Sequence, residues 1–448
     1  MKSTHDLYLG IDLGTSTIKV AVARMKLPPQ ADNRADLLFA SKATVEFLGL
    51  GEAPALSMVK GEPEQPGIVT EQLYMAVKEA LESARLQEFP HTVALALSGA
   101  YLETLPISAT IEIPGSLPIT EDDMVAVTRK VYDLLTPQDG TPSVVPYGKI
   151  PLTSVLPRCY RLADDRIVFS PIDQISSKLT CDSLYFALDT ERSRRIFSMV
   201  DLALNSRRID CTATVPVALS CALWPPMKLD NNLPLPLAID LGAGLTSLAM
   251  PSPTGGLIAE QIAVGCDHLA NDLSLVFNLK DINTARDLVK KLDNYRCTAI
   301  PAHDGDARRI TILSPDGTKR DIAADDIEMV IEARLKELFS IIAQRIEENQ
   351  ATPWLDSEIL LTGDGALIPR ITELAGTILK RKVRVGTPYQ VDASRFFETL
   401  PPRFTTLCGL FRVACQERLI REAHENQKNL LDRLAGGVRK AFQALFRW

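Results

Sequence analysis

The apolar positions of this chain change rhythm from segment to segment, and each rhythm predicts an element. Leu7 to Val22 reads LYLGIDLGTSTIKVAV: an apolar run, a glycine turn and a second apolar run, which predicts strand, turn and strand. From Thr70 to Arg85 the apolar residues Leu73, Ala76, Val77, Ala80, Leu81 and Ala84 recur at helical spacing. His91 to Ser98 predicts a buried strand. From Gly99 to Asp189 the texture turns proline-rich, with short alternating runs and one clear helix. That helix starts at Thr120, where TEDD offers a cap and an acidic first turn, and runs through Met124, Val127 and Val131. This stretch reads as an inserted α+β subdomain.

Beyond it, Ser193 to Asn205 is helical, Cys211 to Leu223 reads as a strand entering a helix, and Asn231 to Pro236 is a linker. Leu235 to Met250 (LPLAIDLGAGLTSLAM) repeats the strand–Asp-x-Gly–strand pattern of the N-terminus, with Asp240 in the place of Asp12. Ile327 to Ile346 is a long amphipathic helix, and Glu358 to Pro369 (EILLTGDGALIP) is a buried strand, a glycine turn and a helix.

Composition narrows the class. The 448 residues suffice for two or three domains, and 46% hydrophobic with 23% charged residues allows an ordinary core. A net charge of −7 argues against a nucleic-acid partner. The eight cysteines form no C-x-x-C pair, so buried free thiols in a reducing compartment are expected rather than a zinc site. MKSTHDLYLGIDLG has no basic-then-apolar signal region, and no stretch approaches the ~18 apolar residues of a spanning helix. The body of the protein is expected in the cytoplasm.

The two Asp-x-Gly hairpins carry the chemistry. A glycine-rich turn lets backbone N–H groups approach a phosphate, and an aspartate at the strand end holds a magnesium ion through water. The first hairpin offers Asp12, Gly14, Thr15, Ser16, Thr17 and Lys19; the second offers Asp240, Gly242, Gly244 and Thr246. Facing each other they would clamp a β/γ-phosphate and its metal, with Asp12 and Asp240 toward the metal.

These hairpins resemble the phosphate-1 and phosphate-2 motifs of the actin, sugar kinase and heat-shock chaperone superfamily. Leu360 to Ala366 (LLTGDGA), with Gly363 and Gly365, resembles its adenosine motif. Within the superfamily the chain is most similar to the bacterial cell-division FtsA family. The inserted segment sits where that family carries its small 1C subdomain. Pro171 to Leu179, Gly265 to Leu273, Ile331 to Leu338 and Pro402 to Leu410 also follow the family's pattern.

The resemblance implies an α/β, actin-like two-lobed fold with an inserted small α+β subdomain and a C-terminal amphipathic helix. The expected division is 1–90 for the first part of lobe 1, 91–190 for the insertion and 191–234 for lobe 1 continued. Lobe 2 starts with 235–270, followed by its subdomain 2B at 271–353. Residues 354–415 hold the adenosine motif and the return to lobe 1, 416–428 a polar linker in a charged segment that reads as a helix end or a tether, and 429–448 a membrane-targeting helix. The resemblance also implies ATP and Mg2+ as ligands, self-polymerisation, and FtsZ as partner, docked on 2B near Arg334.

The chain departs from the family at several points. Ala243 replaces a phosphate-2 glycine, Ser247 the usual acid after its threonines, and Asp364 an adenosine-motif glycine. The A-E-x-x-K stretch near adenine and ribose reads Ala285, Arg286, Asp287, Leu288, Val289, with Lys290 adjacent. The water-activating acid expected after the Pro216 helix is absent from Trp224, Pro225, Pro226 and Met227, and the nearest is Asp230. ATP binding with weak or no hydrolysis is the expectation.

The tail Asn429 to Trp448 puts Leu431, Leu434, Ala435, Val438, Phe442, Leu445 and Phe446 on one helical face. Arg433, Arg439, Lys440 and Arg447 lie toward the other, and Trp448 closes the segment. A basic amphipathic helix of this kind suits anionic inner-membrane lipid. The resemblance then implies a scaffold on the cytoplasmic side of the inner membrane at the division site. Two alternatives stay open: a PilM-like cytoplasmic adaptor of a pilus platform, and a phosphotransferase of the sugar-kinase branch, against which Ser247 counts.

Overall fold

In this computed structural model the described residues are 6–27, 43–99, 101–135, 144–151, 159–168, 171–224, 235–252, 257–301, 308–349 and 357–419. The predicted tail residues Val438, Arg439, Lys440, Phe442, Leu445, Phe446, Arg447 and Trp448 lie outside them, as do Pro225, Pro226, Met227 and Asp230.

Lobe 1 is built on β1 (Leu7–Leu13), buried at every position because both faces of its sheet are covered. It pairs antiparallel with β2 (Thr17–Lys26), which pairs with β3 (Thr44–Pro54). After the short hairpin of β4 (Met58–Val59) and β5 (Glu62–Pro63) comes α1 (Pro66–Ala84), opened by a proline at its first position. Helix α1 lies so close on β3 that a Cβ at Gly51 would stand 2.0 Å from the carbonyl oxygen of Ala76. Strand β6 (Thr92–Leu97) then adds parallel to β1.

The insertion follows: β7 (Glu103–Glu112), α2 (Glu121–Leu135), β8 (Lys149–Pro151), β9 (Cys159–Leu162), β10 (Ile167–Val168) and β11 (Lys178–Asp189). Thr120 and Asp123 cap α2 reciprocally, each side chain accepting from the other's amide. Its five strands form one sheet around β11, and α2 covers that sheet with a core of its own that includes Ile107, Val127, Val131 and Leu179. The separate core accounts for the change of texture read from sequence. Strand β6, however, belongs to the lobe 1 sheet, so the insertion begins after Leu97 rather than at residue 91. Helix α3 (Thr190–Ala203) returns the chain. Its cap Asp189 accepts from the amides of Glu191 and Arg192, a contact that stabilises by about 1 kcal/mol. Strand β12 (Cys211–Thr214) completes the lobe 1 sheet on the far side of β6 and leads directly into α4 (Val215–Leu223).

Lobe 2 repeats the opening theme. Strand β13 (Leu237–Leu241) pairs antiparallel with β14 (Thr246–Pro251), and β14 with β15 (Leu257–Ile262). Helices α5 (Cys266–Phe277) and α6 (Ile282–Lys290) follow, then the hairpin β16 (Arg309–Leu313) and β17 (Lys319–Ala323). Helix α7 (Ala324–Glu348) carries Asp325 and Asp326 in its first turn and Arg345 in its last, as the helix dipole favours. Strand β18 (Ile359–Thr362) adds parallel to β13, and after α8 (Ile371–Leu379) strand β19 (Val383–Val385) adds to β18.

The chain then re-enters lobe 1. Strand β20 (Val391–Asp392) pairs with β3, and helix α9 (405–419) is buried in the lobe 1 core through Leu407, Leu410, Phe411 and Val413. Its last turns, with Gln416 at 9% and Glu417 at 6% exposure, occupy the start of the expected 416–428 linker, so any linker starts after residue 419. Two joints tie the lobes. Helix α4 belongs to the lobe 1 core and packs on β13, β14 and β15. Thr362 at the end of β18 donates to Pro402 O at 2.7 Å and shares a 2.7 Å hydrogen bond with Thr405 at the head of α9.

Candidate functional site: a cleft between two matched hairpins

The β1–β2 and β13–β14 turns face each other across a cleft of about 690 Å3. The contact is close: a Cβ on Gly244 would stand 2.8 Å from Thr15 Oγ1, so only glycine lets the second turn meet the first. Asp12, Gly14, Thr15, Ser16, Thr17 and Lys19 line one wall. Asp240, Gly242 and Gly244 line the other, and Gly363 and Gly365 the floor. Thr246 is the exception. It is fully buried, does not line the cleft, and its hydroxyl donates to Val264 O at 2.8 Å. Its place just after the turn suggested a phosphate contact, but the strand alternation of β14 turns it away.

Gly363 has φ +82°, and a Cβ there would lie 2.7 Å from Asp240 Oδ1. The adenosine turn therefore closes directly over the second aspartate, which any larger residue would obstruct.

The electrostatics centre on Lys19. Its Nζ donates to Asp12 Oδ2 at 2.8 Å, with side-chain exposures of 12% and 8%. Burial alone would lower the lysine pKa, but the carboxylates of Asp12, Asp364 and Asp240 outweigh it and raise it. Asp240 is pushed up to about 7, first by burial and then by Asp12 and Asp364, with Lys19 opposing. Asp364, where the family pattern has glycine, is thus a third carboxylate acting on the Lys19 ammonium. Among the described residues no group of three or more His, Cys, Asp or Glu side chains is arranged to hold a metal ion directly. Asp12 and Asp240 on opposite turns suit a hydrated magnesium held through water.

The cleft is also lined by Arg286, Val289 and Lys290 of α6, and by Asn294, Leu367, Ile368 and Pro369. Arg286 is paired with Asp267 on α5. Ser247 and Val215 also line the cleft, but no carboxylate stands on α4, whose last turn is held by the buried Arg412 donating to Cys221 O and Ala222 O. Sequence reasoning did not assign Glu52 and Arg403, an ion pair at 3.1 Å that also lines the cleft. They lie far apart in sequence, and no local pattern links them. Cys266, one of the two cysteines that are not fully buried, lies on the cleft floor beside Gly365.

Arg334 is well away from the cleft on α7. Its guanidinium donates to both carboxylate oxygens of Asp272 at 2.5 and 2.9 Å and to Glu337 at 2.7 Å. Among the described residues no helix is long and apolar enough to cross a membrane.

No protein-family model matches the chain. It is 22% identical over 446 residues to a protein named cell division protein FtsA from Borreliella burgdorferi, covering 98% of this chain and 96% of that one. A protein of the same name from Rhizobium meliloti is 23% identical over 449 residues, covering 98% and 93%. Among solved structures, the PilM–PilN type IV pilus biogenesis complex matches with a TM-score of 0.55 at 15% identity, covering 91% of this chain and 98% of that chain, a likeness of fold. The fold is an actin-like α/β fold, and the resemblance to FtsA proteins extends over nearly the whole chain.

Proposed function

We propose that this protein is an ATP-binding, actin-like scaffold of cell division that polymerises and anchors FtsZ to the inner membrane. The observation that carries the nucleotide part is the pair of matched hairpins meeting across one cleft, with Lys19 between them and the Gly363 turn beneath. Backbone amides of both turns would receive the β- and γ-phosphates. Asp12 and Asp240 would hold the waters of a magnesium ion, which neutralises phosphate charge when bound. Neither Ser247 nor Val215, which line the cleft, carries a base to deprotonate an attacking water, and on this reading turnover falls far below the ~1–100 s⁻¹ of efficient phosphoryl transfer. Asp12→Ala combined with Gly242→Val should abolish ATP binding by calorimetry, since a side chain at Gly242 meets the Leu245 carbonyl oxygen, 2.9 Å from the Cβ position. Equal affinity in the double variant and the parent would reject the clamp.

The division role rests on the likeness to FtsA proteins along the chain. Attachment to the cytoplasmic side of the inner membrane at the division site would use the tail residues 438–448, and FtsZ would dock by an acidic peptide at Arg334 after displacing Asp272. Co-sedimentation with anionic liposomes reads both steps. The full chain should pellet, carry FtsZ with it, and carry less when Arg334→Glu reverses the docking charge. Protein that stays in the supernatant at low salt would favour the cytoplasmic pilus-platform adaptor instead.

A further inference from the structure

The cleft is also lined by an ion pair that the phosphate clamp does not use. Arg286 Nε donates to Asp267 Oδ1 at 2.8 Å and its Nη2 to Asp267 Oδ2 at 2.9 Å, a two-pronged arrangement with side-chain exposures of 33% and 21%. The pair is fixed relative to the phosphate turn. The amide of Cys266 donates to Gly242 O at 2.9 Å and that of Asp267 to Ala243 O at 2.8 Å, so the first turn of α5 is bonded to the second hairpin. The same cleft is lined by Val289 of α6, by Leu367, which is 52% exposed, and by Ile368. These apolar side chains offer the kind of surface that takes a flat base.

We propose that the Asp267 carboxylate, held by Arg286, is the acceptor for the ribose hydroxyls of the bound nucleotide, and that it makes the cleft selective for sugars bearing both hydroxyls. This rests on the nucleotide reading above and names the residue that reads the sugar. The backbone bond from Asp267 N to Ala243 O sets this residue beside the phosphate turn, and the same cleft carries the apolar side chains that would take the base. The chemistry is specific. A vicinal diol donates two O–H bonds, and each carboxylate oxygen, having accepted one N–H from Arg286, keeps a further lone pair. Arginine has no acceptor, so position 286 cannot take the diol itself. In the family pattern a glutamate stands at 286. Here the carboxylate comes from α5 instead, and the arginine orients it. The two-pronged bond removes the rotamer freedom that a lone aspartate would lose on binding.

The test is calorimetry on the full chain with magnesium ATP, 2′,3′-dideoxy-ATP and tripolyphosphate. The wild type should bind ATP ~10-fold or more tightly than the dideoxy analogue, the scale of a hydrogen bond to a charged group. In Asp267→Asn the two should bind within about 2-fold of each other, while tripolyphosphate affinity is unchanged. Arg286→Lys, which keeps the charge but not the fork, should retain only part of the selectivity. Equal binding of ATP and its dideoxy analogue by the wild type would overturn the inference without any variant. Selectivity that survives in a folded Asp267→Asn protein would overturn it too. If neither nucleotide nor tripolyphosphate binds, the clamp itself fails, a different result from loss of sugar discrimination alone.

Discussion

The two hairpins share a motif, and their aspartates are partnered differently. Asp12 on the first turn is bonded to Lys19 at 2.8 Å, forming a compact pair. Asp240, its counterpart on the second turn, feels Lys19 only through space, and burial with two neighbouring carboxylates holds it near neutrality, at about 7. The difference comes from one cation being placed on only one of two similar strands: register sets Lys19 opposite Asp12, whereas Asp240 stands opposite Ser247. A motif match therefore does not transfer the partner of its aspartate: the first turn carries its own cation, and the second does not.

The largest effect should follow from removing that cation. Lys19→Ala leaves Asp12 buried without its partner, which should destabilise the protein by about 3 kcal/mol. Denaturant unfolding at neutral pH reads this, and a loss below ~1 kcal/mol would mean that water replaces the lysine and that the two turns differ little.

A smaller, pH-dependent effect should come from Asp240. Its folded pKa is raised from 3.8 to about 7, so the folded protein keeps this proton to higher pH than the unfolded chain. Its contribution to stability is complete below the unfolded value and is lost as pH rises through about 7. Asp240→Asn removes the titration, so the variant should gain on the wild type between pH 5 and pH 8, by roughly 1–3 kcal/mol at about 1.4 kcal/mol per pKa unit. Parallel stability curves over that range would mean that burial does not hold the Asp240 proton to higher pH.

The smallest effect concerns the third carboxylate. Asp364→Asn removes one negative charge beside the phosphate clamp and should tighten ATP binding roughly 5-fold at low salt, less at high salt. Unchanged affinity would show that Asp364 acts on Lys19 and Asp240 but not on the ligand.

Much of this architecture was legible because it is local. The strand runs around Asp12 and Asp240, the helices at Thr120 and Ile327, and the glycine turn at Gly363 are written in period, cap and turn chemistry over fewer than about 20 residues each. The insertion was legible from its texture, which changes at Gly99, whereas the division that the resemblance implies starts it at 91. Thr92–Leu97 reads as a buried strand in either sheet, and only its parallel pairing with β1 and β12 assigns it to lobe 1. The segment from Gln416 reads as a helix end or a tether, and only the packing of α9, which buries Gln416 and Glu417, decides for a helix end at these two residues. Thr246 read as a ligand contact until the strand alternation of β14 turned its hydroxyl toward Val264.

By itself the sequence determined the elements, the doubled Asp-x-Gly motif and the departures at Ala243, Ser247, Arg286 and Asp364, because each is a property of neighbouring residues. Only the tertiary structure decided that Arg286 pairs with Asp267, that Arg403 meets Glu52, that Arg334 is held by Asp272, and that one lysine serves Asp12 while burial governs Asp240. These are contacts between elements distant along the chain. Charge and burial at such points depend on which strands and helices come together, and no periodicity or local motif encodes that distance.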